Sequence, residues 1–150
     1  MQNDAELNRS FKASLILHVA FMVAPVIYAI TAVILDDMRM QPRLDEGLHV
    51  LVLVGFAVVS VALFLLRVRF ALAGTRTALS QGQSIPESLA AGHVIGAAIN
   101  ETIAVLGLVA YLLTANLGIS LAFMGVGLFA LYRGRPIKDE WRAVVTKGRR

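Results

Sequence analysis

The sequence predicts an all-α integral membrane protein: a four-helix bundle with both termini in the cytoplasm and an amphipathic C-terminal segment at the membrane surface. Three observations predict this class. The 150 residues are 57% hydrophobic and 16% charged, whereas soluble domains carry about 25% charged residues. Long stretches contain no charged side chain, and basic residues cluster at their ends. This composition excludes intrinsic disorder and a soluble enzyme, and the absence of cysteine excludes disulfides and thiolate metal sites.

The first two spans are read from charge-free runs. The run 14–35 contains no charged side chain. It is long enough to cross about 30 Å of hydrocarbon and too long for the apolar core of a signal peptide. Pro25 predicts a kink or a weakened turn within it. The second predicted span is 47–66, which ends at Arg67 and is interrupted only by His49, a residue expected at the interface.

The third and fourth spans share one longer apolar stretch. Its 45 residues contain a single charged side chain, Glu101, and are enough for two crossings. Asn and Gly favour a turn near Asn116, so the predicted spans are about 88–113 and 117–132. A S-x-x-E pattern that begins at Ser84 predicts a capping box before the membrane boundary. The third helix is therefore expected to be the longest.

Basic residues predict the orientation. Of the 14 Lys and Arg, 12 lie in the N-terminal tail, in the loop after the second span or in the C-terminal tail 133–150, and only Arg39 and Arg43 lie in the loop after the first span. The positive-inside rule then places both termini in the cytoplasm. We therefore predict one membrane domain over 1–150, in a bacterial-type inner membrane.

The C-terminal tail carries an apolar helical stripe among basic residues. The stripe consists of Ile137, Trp141, Val144 and Val145. Such a helix suits an anionic membrane surface, so Trp141, Arg142 and Lys138 are predicted as membrane-surface anchors. The alternative is a frayed basic tail that only enforces topology. Because no aromatic interleaving or binding motif accompanies the basic residues, no nucleic-acid partner is expected.

Glu101 is the main candidate functional residue. It lies about 13 residues into the third span, roughly 20 Å along the helix axis, and hence near the bilayer centre. An acid there persists when it is protonated, paired, or facing water or protein, and such residues mark ion pathways. The alternative is a neutral structural Glu, hydrogen-bonded across the bundle or to a partner subunit.

The third helix also carries a stripe that predicts a packing seam. The stripe consists of His93, Asn100, Ala104, Gly107 and Tyr111. Gly92 and Gly96 lie beside it in a G-x-x-x-G pattern that allows close helix approach. Glu101 projects roughly 80° away from the seam, toward another helix or another subunit.

Two histidines enter their spans at a similar predicted depth, His18 in the first and His93 in the third. Three roles are open to them: hydrogen-bonded bundle residues, axial ligands of a haem iron, or, with Glu101 and Tyr111, a proton path. The first is favoured, so no cofactor is expected.

Other chemistry is sparse. The sequence contains no Ser/His/Asp or Cys/His constellation, no Walker-type loop and no H-E-x-x-H motif, so neither an enzyme nor a metal site is predicted. Adjacent acids at the membrane edge are interpreted as solvated caps, with an external cation site as the alternative. These acids are Asp36, Asp37, Asp45 and Glu46.

One stretch of the third helix resembles the ion-carrying helix of the rotary ATPase proteolipid, the c subunit. It reads Asn100-Glu101-Thr-Ile-Ala-Val-Leu-Gly107-Leu-Val-Ala-Tyr111-Leu-Leu. In that family an acidic residue in mid-membrane is followed by a small, apolar, Gly-containing stretch. The resemblance covers roughly 88–113, and the whole layout is similar to uncharacterised four-span bacterial inner-membrane proteins with one proteolipid-like helix. It implies that Glu101 is the protonatable carboxylate and Thr102 the hydroxyl that helps to hold Na⁺, with Asn100 beside them.

The sequence therefore predicts a non-enzymatic subunit in which Glu101 binds H⁺, or Na⁺, as part of an ion-coupled complex. The alternative is a structural or assembly subunit with no transport of its own. The expected partners are the lipid bilayer and either other membrane subunits or further copies of the chain.

Overall fold

A computed structural model describes residues 2–38 and 44–147. This part of the chain is entirely helical apart from short connections. The helices are α1 Gln2–Asp37, α2 Glu46–Ser80, α3 Ile85–Thr114, α4 Leu117–Arg133 and α5 Lys138–Lys147. Arg39 and Arg43, on which the predicted orientation partly depends, lie outside the described residues, as do Arg149 and Arg150.

The ends of α3 are defined by local hydrogen bonds, as the sequence predicts. The Ser84 hydroxyl accepts from the backbone N–H of Glu87, and the Glu87 carboxylate accepts from the backbone N–H of Ser84. Ala115 ends the helix in the left-handed region at φ 51°, and the Asn116 side chain starts α4 by accepting from the N–H of Ile119. The predicted capping box and the predicted turn are both confirmed.

α1 and α2 extend beyond their apolar runs. They contain 36 and 35 residues, against 30 for α3, so the prediction that the third helix is the longest is wrong. Arg67, Arg69 and Arg76, placed by the sequence in a loop, all lie within α2. The reason is that charge marks where an apolar run ends, whereas Arg, Ala and Leu continue a helix readily in water.

The described helices support a membrane protein. Three of them are long and apolar enough to cross a membrane, over Asp4–Asp37, Gly47–Ser80 and Ile85–Thr114. A fourth candidate span arises if α4 and α5, which are bent by 50° at their junction, are taken together. The all-helical class is thus confirmed, with three to four helices long and apolar enough to span a membrane, and α1 runs as one helix through Pro25.

The bundle is organised around α3, which packs against α1, α2 and α4, while α1 also packs against α4. Two apolar clusters lie toward opposite ends of α1 and α3. One joins Ala32, Tyr111 and Met124. The other joins Leu7 of α1 to Trp141 and Val145 of α5, with Phe11, Ile85 and Leu89 against it. The helices are therefore tied together both within the apolar spans and at the basic end.

Candidate functional site

The interface between α1 and α3 carries three polar pairs. They are His18 with His93, Tyr28 with Glu101, and Asp36 with Tyr111. The partners are 75, 73 and 75 residues apart in sequence, as expected for two helices that run parallel in constant register. Successive pairs are separated along α3 by about 12 and 15 Å at 1.5 Å per residue. The predicted proton-path residues His18, His93 and Tyr111 therefore share one interface with Glu101.

Glu101 is half-buried in the middle of α3 and faces α1. The Tyr28 hydroxyl donates to its Oε1 at 2.8 Å. The one ion pair among the described residues joins Arg142 to Asp139 at 3.8 Å, so no described Lys or Arg neutralises Glu101. Sequence reasoning missed Tyr28, although a hydroxyl in the middle of an apolar span is a signal, because a buried Tyr O–H needs a partner.

The other residues of the predicted ion site face elsewhere. Thr102 is exposed and donates to the carbonyl of Ala98, one turn earlier on its own helix, at 2.9 Å. Asn100 is 3% exposed, and its Nδ2 donates to the carbonyl of Ala130 on α4 at 3.2 Å. Consecutive helical residues point about 100° apart. The structure therefore brings Glu101 to Tyr28, and does not bring Asn100 or Thr102 to the Glu101 carboxylate.

His18 and His93 do meet at one depth. His18 is 2% exposed, and its Nδ1 lies 3.2 Å from Nε2 of His93. Metal–imidazole bonds are about 2 Å long, so an iron between the rings would hold these nitrogens about 4 Å apart with a porphyrin between them. The direct contact leaves no such space, and the pair does not fit the haem alternative. No cluster of three metal-ligating side chains occurs among the described residues.

The C-terminal segment forms the helix α5, as predicted, but its largest apolar side chain, Trp141, packs against protein. Trp141 is 7% exposed and packs with Leu7, and its ring meets that of Phe11 edge-on at 5.6 Å. Lys138 and Arg142 are exposed. Trp141 therefore lies inside a protein cluster, in contrast to the predicted membrane anchor. The reason is that lipid and protein can cover the same amphipathic stripe.

The predicted packing seam divides between two neighbours. A methyl group built on Gly92 would lie 2.6 Å from the carbonyl oxygen of Ala71 on α2. One built on Gly107 would lie 2.8 Å from the carbonyl oxygen of Ser120 on α4. Real Cβ atoms do not approach this closely, so the glycines are needed for contact between helix backbones. The seam is confirmed, with Gly92 facing α2 and Gly107 facing α4.

Arg67 is the second residue that sequence reasoning missed. It is half-buried on α2, and its Nη1 lies 3.5 Å from both Oδ1 of Asn100 and the carbonyl oxygen of Ala130. Its guanidinium carbon lies 4.2 Å from the centre of the Phe64 ring. The first charge after an apolar run usually lies in solvent, so no sequence pattern indicated that Arg67 packs against α3 and α4.

These features define a small all-helical chain with three to four candidate membrane spans and polar side chains on the inner faces of its helices. Comparison with known proteins adds no relative: no protein-family model matches the chain, and no curated protein or solved structure is significantly similar to it. The resemblance of α3 to the proteolipid helix stays a prediction.

Proposed function

We propose that the chain is a subunit of an ion-coupled membrane complex in which Glu101 takes up and releases a proton. The observation that carries this proposal is the 2.8 Å hydrogen bond from Tyr28 to Glu101, which joins two candidate membrane spans. The Tyr28 hydroxyl stabilises the ionised carboxylate, and it can still donate to one oxygen when the other is protonated. The pair can therefore hold both protonation states, which proton exchange requires.

The remaining polar pairs of the α1–α3 interface support a proton rather than a sodium ion. His18 and His93 lie toward the basic end, and Asp36 and Tyr111 lie toward the other, so titratable groups flank Glu101 on both sides. A sodium ion needs several oxygen ligands at once, and Thr102 faces away from the carboxylate. In this proposal the basic end is cytoplasmic in a bacterial-type inner membrane, and other subunits supply access to water.

The second candidate is a structural or assembly subunit without transport. It is favoured by the same hydrogen bond, since a neutral Glu101 satisfied by Tyr28 would hold α1 against α3. The exposure of α2 also favours this candidate, because only 6% of the most apolar 18-residue stretch of α2 is buried. Lipid or a partner subunit would cover that surface.

Infrared difference spectroscopy of the full-length protein in lipid nanodiscs tests the two functions. In difference spectra between acid and alkaline pH, a proton-binding Glu101 gives a carboxyl C=O band that disappears in Glu101→Gln and persists in Glu87→Gln. Glu87 is the matched control, because it is the other glutamate of α3 and lies exposed in the capping box. Tyr28→Phe should move this C=O band to a higher frequency, since the carboxyl group loses its hydrogen-bond donor.

The assembly function predicts a different set of results. No band assigned to Glu101 would titrate, and Glu101→Leu, which leaves the Tyr28 hydroxyl without its acceptor, would reduce the native mass of the complex extracted in mild detergent. The proton-binding function instead predicts that Glu101→Gln inserts and assembles normally while coupled transport is lost.

A further inference from the structure

Arg67 lies in a cleft of about 210 Å³ between α2, α3 and the turn after α4. Its lining includes Arg67 of α2 and, on α3, Gly92, His93, Gly96, Ala97 and Asn100. Arg67 Nη1 has only two long contacts, at 3.5 Å, beyond the usual 2.7–3.2 Å of N–H···O hydrogen bonds. Among the described residues no carboxylate lies within ion-pair distance of its guanidinium. Most of its five N–H donors are thus available to a ligand.

An apolar groove adjoins this cleft on the side of the hydrocarbon core. It encloses about 280 Å³ between α2 and α4. Its lining residues are Ser60, Val61, Phe64, Val126 and Phe129. Phe64 joins the groove to the cleft, because its ring lies 4.2 Å from the Arg67 guanidinium carbon. Ser60, Phe64 and Arg67 follow at i, i+4 and i+7, so one face of α2 runs along both cavities.

We infer that the cleft and groove together bind one anionic phospholipid, with its phosphate on Arg67 and an acyl chain between Phe64 and Phe129. Guanidinium donors match phosphate oxygens in a forked geometry. Arg67 also marks the end of the apolar run 47–66 of α2 and reaches the carbonyl oxygen of Ala130 near the C-terminal end of α4, so its charge lies at the basic end of the groove. Basic pockets between membrane helices are known to hold such headgroups.

The apolar groove decides in favour of a lipid over a free phosphate ion. A phosphate ion would use the Arg67 cleft alone and leave the adjoining surface of Val61, Val126 and Phe129 uncovered. A phospholipid joins a phosphate to apolar chains in the same order in which the cleft joins the groove.

The test is native mass spectrometry of the full-length protein released from nanodiscs that contain phosphatidylglycerol and phosphatidylcholine. The wild-type chain should retain one phosphatidylglycerol in preference to phosphatidylcholine. Arg67→Gln should lower this retention about tenfold or more, since a charge-assisted contact is lost. Arg69→Gln is the matched control: Arg69 lies two residues further along α2 and is exposed, so its loss should leave retention unchanged.

A second pair of variants tests the acyl groove without touching Arg67. Val61→Trp should fill the groove and reduce phosphatidylglycerol retention. Val59→Trp should not, because Val59 points about 160° away on α2 and is 45% exposed. This pair decides the matter if Arg67→Gln fails to fold, as judged by circular dichroism and gel filtration.

Three results would overturn the lipid site. The first is equal retention by Arg67→Gln and Arg69→Gln, or by the two tryptophan variants. The second is equal retention of phosphatidylcholine and phosphatidylglycerol by the wild-type chain. The third is binding of inorganic phosphate alone that depends on Arg67 and displaces no lipid, which would identify a soluble anion as the ligand.

Discussion

α2 and α3 are neighbouring apolar helices that are buried to very different extents. Only 6% of the most apolar 18-residue stretch of α2 is buried, against 39% of the corresponding stretch of α3. α2 exposes large apolar side chains such as Val50, Leu51 and Leu65, each more than two-thirds exposed. α3 instead buries small and polar residues, among them Asn100 and Gly107.

The difference shows what selects the central helix of a membrane bundle. Apolar side chains gain little by moving from lipid to a protein interior, so α2 can leave them outside. Small residues allow helix backbones to approach, and polar residues gain hydrogen bonds that lipid does not offer. α3 combines Gly92, Asn100 and Gly107 on its packed faces, and for this reason three helices pack around it.

The largest effect should come from enlarging a packed glycine of α3. Gly107→Leu would force a side chain against the backbone of Ser120 and should cost about 3 kcal/mol of unfolding free energy. Gly55→Leu on α2 is the control, since nothing lies within 4 Å of a Cβ at that position. Denaturant unfolding in detergent micelles measures both, and equal stabilities would contradict the central position of α3.

A smaller effect is expected from truncating a buried side chain. Ile103 on α3 is fully buried and Leu51 on α2 is 68% exposed. Ile103→Ala should lower the unfolding free energy by about 2 kcal/mol through the cavity it leaves. Leu51→Ala should change it by about 0.5 kcal/mol or less. The comparison would fail if the exposed site were the more sensitive in the same unfolding assay.

Removal of the buried amide should have a moderate effect. Asn100→Ala removes the 3.2 Å hydrogen bond that the amide donates to the carbonyl oxygen of Ala130 and should cost about 1 kcal/mol, because this oxygen still accepts from the backbone N–H of Gly134. Thr102→Val removes an exposed hydroxyl that bonds only to its own helix, and is expected to be neutral. Hydrogen exchange at the amides of α4 gives a second readout, which should rise in the first variant alone.

The smallest effect concerns the hydrogen bond between α1 and α3. A double-mutant cycle with Tyr28→Phe and Glu101→Leu, each of which removes the hydrogen bond, should give a coupling free energy of about 0.6 kcal/mol, the average for polar pairs between membrane helices. The cycle is measured by unfolding at a pH where Glu101 is protonated and again where it is ionised. A coupling that is zero at both pH values would remove the Tyr28–Glu101 pair from the proposed function.

Several elements could be predicted from local sequence because their causes are local. The capping box at Ser84 and the turn at Asn116 involve residues within three positions of one another, so their spacing was sufficient evidence. The helical tail was visible from its stripe for the same reason. Helix lengths were less accessible, since hydropathy reports the apolar run and not the helix: α2 continues to Ser80 through three arginines.

Only part of the candidate site could be predicted from the sequence, for a related reason. An acid in the middle of an apolar run can be recognised from the sequence alone, so Glu101 could be identified without a structure. Its partner Tyr28 lies 73 residues away, and nothing local indicates which helix pairs with α3 or in which direction. The same holds for Arg67, whose neighbours Asn100 and Ala130 belong to two other helices.

By itself the sequence determined the helical class, the number of apolar runs, the turn between α3 and α4 and the isolation of Glu101, because these depend on composition and on spacing along one chain. Only the tertiary structure decided that Glu101 faces Tyr28, that Trp141 is covered by protein and that Arg67 lies beside an apolar groove. The physical reason is that lipid and protein are similarly favourable surroundings for an apolar face. Which one covers it is decided by the close approach and hydrogen bonds of whole helices.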